Sequence, residues 1–289
     1  MPTLAEVVED ARVRLLKAGV RTDEARLDAE LLARHVLGWD RAQFIASRRQ
    51  ILPASTARSI DALVRRRERR EPLAYVVGTR EFYGRMFRVD RRVLVPRPET
   101  EAIVEEAVGL ARTGRVQRNA RIADVGCGSG CIGISLALEM PESTLVAIDI
   151  DADALALARA NSATLGAAGR VGFVQSDLLS GTKGPFDVVV SNPPYVPQGE
   201  RETLQAEVRE FEPSRALFGG VDGLDVVRRL IRQAADVLTP GGWLIVELGI
   251  GQAAAVESAL AATLQYGPCR FVFDLQGVAR VCVTNRSAS

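Results

Sequence analysis

Apolar and polar positions alternate with one rhythm in the first quarter of the chain and another in the rest. In residues 1–72, Leu4, Val7, Val8, Ala11 and Leu15 recur at helical spacing. A second helix carries Leu27, Leu31, Leu32 and Val36 on one face, with Asp23 as its expected cap and Gly38 at its end. A third is expected from Ala54 to about Arg70, with Ile60, Leu63 and Val64 inward. Short helices without strands predict a small bundle. Between 73 and 95 the pattern shortens to alternation with glycines, which predicts a hairpin linking two parts. Pro96 and Pro98 punctuate the chain before a helix from Glu99 to Ala111. From Arg121 onward strands and helices alternate. Strands are expected at Ile122–Val125, Leu145–Ile148, Val171–Val174, Phe186–Ser191, Trp243–Glu247, Arg270–Phe273 and Ala279–Thr284. Helices are expected at Cys131–Glu139, Ala152–Leu165, Leu224–Leu238 and Gln252–Leu264. That alternation predicts an α/β doubly wound, mostly parallel sheet. Only Asp274–Val278 separates the last two strands, too little for a crossover, so they must be antiparallel. The expected domains are 1–72 (helical), 73–95 (hairpin) and 96–289 (sheet).

Composition mostly excludes. The chain has 289 residues, 47% apolar and 25% charged, which rules out disorder, collagen and coiled coil. No apolar run approaches the ~18 residues of a membrane span, and the N-terminus has no apolar signal core, so no secretion signal is expected. The single histidine, His35, excludes His-based metal sites and argues against His-dependent nucleophilic catalysis; it reads as a core-edge residue. The cysteines Cys127, Cys131, Cys269 and Cys282 form no C-x-x-C pair, so no metal is expected. Set singly in apolar segments, they suit reduced thiols in a cytoplasmic protein. The net charge of +1 is a cancellation: residues 1–90 hold 18 Lys and Arg against 13 Asp and Glu, and the remainder 19 against 23. The run Arg65–Arg70 reads either as a solvated helix face or as a contact surface for an acidic partner, and reversal of Arg65, Arg66 and Arg67 tests the second.

The first strand runs into Gly126-Cys127-Gly128-Ser129-Gly130. Glycines at every second position let the backbone turn sharply and approach a ligand, and the following helix offers free N–H groups. The spacing is not the G-x-G-x-x-G of dinucleotide enzymes, so a cofactor without pyrophosphate is expected. Asp149, at the tip of the second strand, is placed either to accept from ribose hydroxyls or to cap the next helix, a task Asp151 or Asp153 could also perform. Asp177, after the third strand, could accept from the exocyclic amine of an adenine. This combination points to S-adenosylmethionine.

The fourth strand leads directly into Asn192-Pro193-Pro194-Tyr195. Two prolines fix the backbone and remove its N–H groups, so the loop presents acceptors. Asn192 adds a side-chain acceptor and Tyr195 a flat face. Asn192 Oδ1 and the Pro193 carbonyl would hold both N–H bonds of a planar –NH2 group, aim its lone pair at an electrophilic methyl and help withdraw the developing positive charge. No histidine or strong base is needed.

The glycine loop followed by Asn192-Pro193-Pro194-Tyr195 resembles the class I S-adenosylmethionine-dependent methyltransferases that modify planar nitrogens, with their Rossmann-like sheet. Further segments resemble the release factor glutamine methyltransferases (the HemK/PrmC family): Pro72-Leu73-Ala74-Tyr75, Gly78-Thr79-Arg80-Glu81-Phe82, Pro96-Arg97-Pro98-Glu99-Thr100-Glu101, Val208–Pro213 and Gly220-Val221-Asp222-Gly223-Leu224. The resemblance spans nearly the whole chain. It implies methylation of the glutamine in the Gly-Gly-Gln motif of class 1 peptide-chain release factors, with the helical domain recognising that substrate. It puts cofactor contacts on Gly126, Cys127, Gly128, Ser129, Gly130, Asp149, Asp177, Leu178 and Asn192. Substrate contacts fall on Asn192, Pro193, Pro194 and Tyr195, of which Asn192, Pro193 and Tyr195 would be catalytic. Cys127 stands where many members have threonine, Leu178 where many have tryptophan, and Leu248 where histidine is common. A monomer is expected, without membrane or direct nucleic-acid binding.

Three other readings compete. Ribosomal-protein glutamine methyltransferases share the tetrapeptide but typically have serine at the Pro98 position and lack the Glu-Thr-Glu continuation. Adenine or guanine methyltransferases need a basic face for phosphates, whereas the C-terminal part here is net acidic. A non-enzymatic cofactor-binding scaffold would have no use for an intact Asn192 beside the glycine loop.

Overall fold

The computed structural model describes residues 1–288, and its chain divides into two compact units. The first comprises Met1–Thr79 together with Gln205–Phe211; the second comprises Arg80–Leu204 and the chain from Glu212 onward.

Five helices build most of the first unit: α1 (Leu4–Lys17), α2 (Thr22–Leu37), α3 (Arg41–Ala46), α4 (Ala54–Glu68) and α5 (Leu73–Val77). Thr3 caps α1 reciprocally with Glu6, and Asp40 caps α3 with Gln43. Asp23 does not cap α2; Arg21 holds that position without a side-chain bond, and Asp23 lies in the first turn. The left-handed Gly38 ends α2. Leu4, Leu15, Leu32, Phe44 and Ile60 meet in a single core.

The hairpin expected over 73–95 is shorter than that. Residues 73–77 are helix α5, entered from Pro72 and closed by the left-handed Gly78. Only β1 (Thr79–Phe82) and β2 (Arg85–Arg88) pair, and 92–96 form no strand. An apolar run of five residues satisfies either period, and the flanking proline and glycine decide for helix.

The basic run 65–70 is only partly solvated: Arg65 and Arg69 are exposed, whereas the others turn inward. Arg67 is 4% exposed. Its Nε donates to Asp28 Oδ2 at 2.7 Å and its Nη1 to Glu207 Oε1 at 2.8 Å. Arg70 donates to both oxygens of Glu207, and Arg66 to both oxygens of Glu71 and to the carbonyls of Tyr75 and Val76. Glu207 belongs to α9 (Ala206–Phe211), the segment that returns to the first unit from far along the chain. Arg66 and Arg67 are thus engaged inside the unit. This overturns the reading of all three arginines as a partner surface, because a buried guanidinium needs its carboxylates.

The second unit contains, in chain order, β1 and β2, then α6 (Glu101–Arg112), β3 (Arg121–Val125), α7 (Cys131–Glu139), β4 (Thr144–Asp149), α8 (Ala152–Thr164), β5 (Val171–Gln175) and β6 (Phe186–Ser191). After α9 come α10 (Asp225–Val237), β7 (Leu238–Glu247), α11 (Ala253–Thr263), β8 (Arg270–Phe273) and β9 (Ala279–Asn285). Seven strands form one sheet in the order β5-β4-β3-β6-β7-β9-β8, and only β9 runs against the others. Strand β6 is almost wholly apolar because both of its faces are covered. Val188 and Val190 pack with Ile103, Ile134 and Leu155 from α6, α7 and α8, whereas Val189 packs with Leu230 and Val256 from α10 and α11. The first sheet strand, β3, has β4 on one side and β6 on the other, so the chain reverses direction across the sheet there; ligands of open α/β sheets bind at the strand C-termini beside such a point. Among the described residues, no helix is long and apolar enough to cross a membrane.

Candidate active site

A cleft opens at the C-terminal ends of β3, β4 and β6, where ligands of such sheets bind. A larger open groove between α10 and α11 contains none of the expected site residues.

The floor of the cleft is the loop Gly126–Gly130. Gly126, Gly128 and Gly130 all have left-handed backbones, with φ of +71°, +54° and +79°. A side chain would strain each of them. At Gly126 and Gly128 the space a Cβ would enter is open, so the bare backbone faces the cleft. The loop is tied to β4: the N–H groups of Gly126 and Cys127 both donate to the Ile148 carbonyl. Beneath it the buried Asp124 accepts from Gly133 N–H at 2.9 Å, and burial pushes its carboxyl up to about 7. Burial also pushes the thiols of Cys127 and Cys131 up, which makes them poor nucleophiles.

Asp149 forms one wall. Its Oδ2 accepts from Gly128 N–H and its Oδ1 from Asp151 N–H, both at 2.9 Å. The cap of α8 is Asp151, through Asp153 N–H, so Asp149 is not needed there. A carboxylate has about four acceptor sites, and the backbone uses two, leaving capacity for hydroxyl donors in the cleft. Burial raises its pKa, opposed by those backbone N–H groups.

Asn192 follows β6, whose last residue Ser191 pairs with Val125 of β3 and Val246 of β7. The Asn192 Nδ2 donates to Thr100 Oγ1 at 3.0 Å. That bond commits the nitrogen end of the amide and leaves Oδ1 as a free acceptor. Tyr195 donates from its hydroxyl to Glu247 Oε1 at 3.2 Å, and its carbonyl accepts from Gln252 Nε2. Gly223, at φ +78°, lies so close to the Tyr195 carbonyl that a Cβ would approach its oxygen to 2.1 Å. The segment Gly220–Leu224 therefore braces the tetrapeptide.

The structure brings Gly126, Cys127, Gly128, Ser129, Asp149, Asn192 and Pro194 to the cleft wall. Gly130 closes the loop behind them, where a Cβ would strike Ile134. Pro193 is buried, and Tyr195 sits partly buried beside the cleft rather than in its wall. Asp177 and Leu178 lie outside the residues that line it. The Asp177 carboxylate is half exposed and paired with Arg229 of α10. Leu178 has a left-handed backbone and packs on the core on the α10 side of the sheet. The partner in that ion pair lies 52 residues along the chain.

Several wall residues went unnoticed in the sequence. Thr100 and Arg97 come from the Pro96–Glu101 segment, whose family resemblance was visible but whose chemistry was not. Arg97 donates to Glu212 Oε1 at 2.6 Å, and Val95 N–H donates to Glu212 Oε2, which fastens this segment over the cleft. Burial raises the Glu212 pKa, and Arg97 opposes it.

Residues 109–214 match the Methyltransferase small domain family, and residues 6–78 match the PrmC N-terminal domain family. The release factor glutamine methyltransferase of Bradyrhizobium diazoefficiens is 44% identical over 96% of this chain and 95% of its own. That of Geobacter sulfurreducens is 41% identical over 96% and 95%. Among solved structures, the hMettl16 catalytic domain in complex with the MAT2A 3'UTR hairpin 6 shares the fold, with a TM-score of 0.55, 17% identity and coverage of 75% of this chain and 81% of that one.

Proposed function

We infer the chemistry from one premise: the chain belongs to the release factor glutamine methyltransferase family. It is an S-adenosylmethionine-dependent protein methyltransferase that acts on a glutamine side chain of release factors.

The cleft fits the cofactor by its own features. Open backbone at Gly126 and Gly128 lets a ligand come close, and Asp149 keeps acceptor capacity for ribose hydroxyls. When bound, S-adenosylmethionine supplies an electrophilic methyl group on a positively charged sulfur. The chain's part is to hold the receiving amide. Asn192 Oδ1 accepts one N–H of the substrate glutamine, the Pro193 carbonyl accepts the other, and the Tyr195 ring covers the amide plane. These acceptors stabilise the nitrogen as positive charge builds on it, and they keep it aligned for attack. The observation that carries this reading is the Asn192–Thr100 bond, which leaves the acceptor end of the side chain uncommitted.

Replacing Asp149 by alanine should weaken S-adenosylmethionine binding about ten- to a hundredfold. It removes a charged acceptor whose hydrogen bond is worth about 1.5–3 kcal/mol and also releases the Gly128 end of the loop. Calorimetric titration reads this directly, and an unchanged affinity would move the ribose contact elsewhere.

The helical unit is the part we assign to substrate recognition, now through its exposed arginines Arg48 and Arg49 rather than Arg66 and Arg67. Reversing both to glutamate should slow methylation of a whole release factor about tenfold and spare a short Gly-Gly-Gln peptide, because surface charge acts on encounter. Equal effects on both substrates would remove the helical unit from recognition. Failure of the unaltered protein to methylate either one would contradict the function itself.

A further inference from the structure

One buried carboxyl beside the cleft has no part in the chemistry so far. Glu247 ends β7, next to the strand that delivers Asn192, and is 2% exposed. Its Oε1 accepts the Tyr195 hydroxyl at 3.2 Å. The Thr100 hydroxyl is close enough to the same carboxyl to stabilise its charge, while Oε2 remains buried without a well-aligned donor. Because Thr100 Oγ1 already accepts from Asn192 Nδ2, its own proton is free to point at Glu247.

We propose that Glu247 is a positioning residue for methyl transfer, anchoring the Thr100 and Tyr195 hydroxyls and through them the Asn192 amide and the tyrosine ring. Rested on the functional reading above, this gives a purpose to an otherwise costly buried acid. As an acceptor it orients the Thr100 hydroxyl, which orients Asn192 so that Oδ1 faces the substrate. Linked hydrogen bonds polarise one another, so an ionised Glu247 makes Oδ1 a stronger acceptor for a nitrogen gaining positive charge. A protonated Glu247 competes for the same hydroxyls as a donor and loosens the chain.

The sign of the pH dependence follows. Burial pushes the Glu247 carboxyl up to about 7; the Thr100 and Tyr195 hydroxyls pull it back, Glu99 raises it and Arg280 lowers it. The Tyr195 hydroxyl that faces it is itself raised by burial and stays protonated throughout. The turnover rate should therefore rise with pH through about 7 and then level off.

The test compares wild type, Glu247→Gln and Thr100→Val by kcat against pH with a whole release factor, alongside S-adenosylmethionine affinity. The glutamine variant should lose between about tenfold and a hundredfold in kcat, keep its cofactor affinity and lose the rise near neutrality. Thr100→Val should show a comparable loss, and combining the two should cost little more than either alone. A glutamine variant with wild-type kcat, or one that loses rate but keeps the pH rise, overturns the proposal. If Glu247→Gln does not fold, Thr100→Val carries the test: a wild-type rate and profile there also overturns it. Absence of wild-type transfer would instead contradict the function on which the proposal rests.

Discussion

Substituting Asn192 by alanine should lower methyl transfer by at least about a thousandfold while cofactor affinity falls far less. The side chain is divided between two tasks. Its nitrogen is bonded to Thr100 and holds the residue still; its oxygen is the acceptor for the substrate amide. An amide nitrogen is a weak nucleophile because its lone pair is delocalised, so the site must both align it and offset the charge it gains. Removing a single preorganised hydrogen-bonding group of this type costs about a hundred- to a thousandfold, and lost alignment adds to that. Alanine removes both. Since Gly126–Gly130 and Asp149 are left intact, the cofactor should still bind. Single-turnover rates beside calorimetric titration measure the two effects separately. Losses in equal proportion would mean that Asn192 serves mainly the cofactor, and a variant within tenfold of wild type would mean that the glutamine amide is held by other groups.

Arg67→Ala should destabilise the helical unit by about 3–5 kcal/mol, the cost of breaking a buried ion pair by removing one partner. Arg67 joins Asp28 on α2 to Glu207 on α9, and it is almost fully buried. Burial pushes Glu207 upward, but Arg70 and Arg67 together outweigh it and hold the carboxyl below its usual range. At Asp28 burial wins over Arg67, and the pKa is raised. Without the guanidinium, Asp28 would be enclosed with no positive partner, and the tie between α2, α4 and α9 would be lost. A domain's whole stability is about 5–15 kcal/mol, so the variant should lie near the edge of unfolding. The urea midpoint of the helical unit measures this. A loss below about 1 kcal/mol would mean that the triad rearranges around water.

These two residues also mark what could be read along the chain and what could not. Strand β6 and helix α7 were legible residue by residue, because a doubly covered strand is a continuous apolar run and the glycine loop fixes where the helix begins. The position of Asn192 at the cleft was legible for the same reason: it follows directly on that strand. Arg67 was not. Its partner Glu207 lies 140 residues away, and a run of arginines looks solvated until the fold supplies a carboxylate. Asp177 shows another limit: local order suggests a ligand contact, and the fold adds an ion pair with Arg229 that the sequence does not announce. Leu73–Val77 fitted both periods, and Pro72 and Gly78 carried the signal that decided it. Thr100 and Glu247 carried no local signal of their chemistry; only the approach of the turn before α6 and of β7 to the Asn192 loop makes them neighbours of the site.

We propose that Asn192 and the loop around it hold a release factor glutamine for methyl transfer. The most direct test is mass spectrometry of a purified release factor after incubation with S-adenosylmethionine and either the wild-type protein or the Asn192→Ala variant. A gain of one methyl, mapped to the glutamine of Gly-Gly-Gln, is expected with wild type and none with the variant. An unmodified release factor, with the methyl found instead on a ribosomal protein or a nucleic acid, would contradict the proposal.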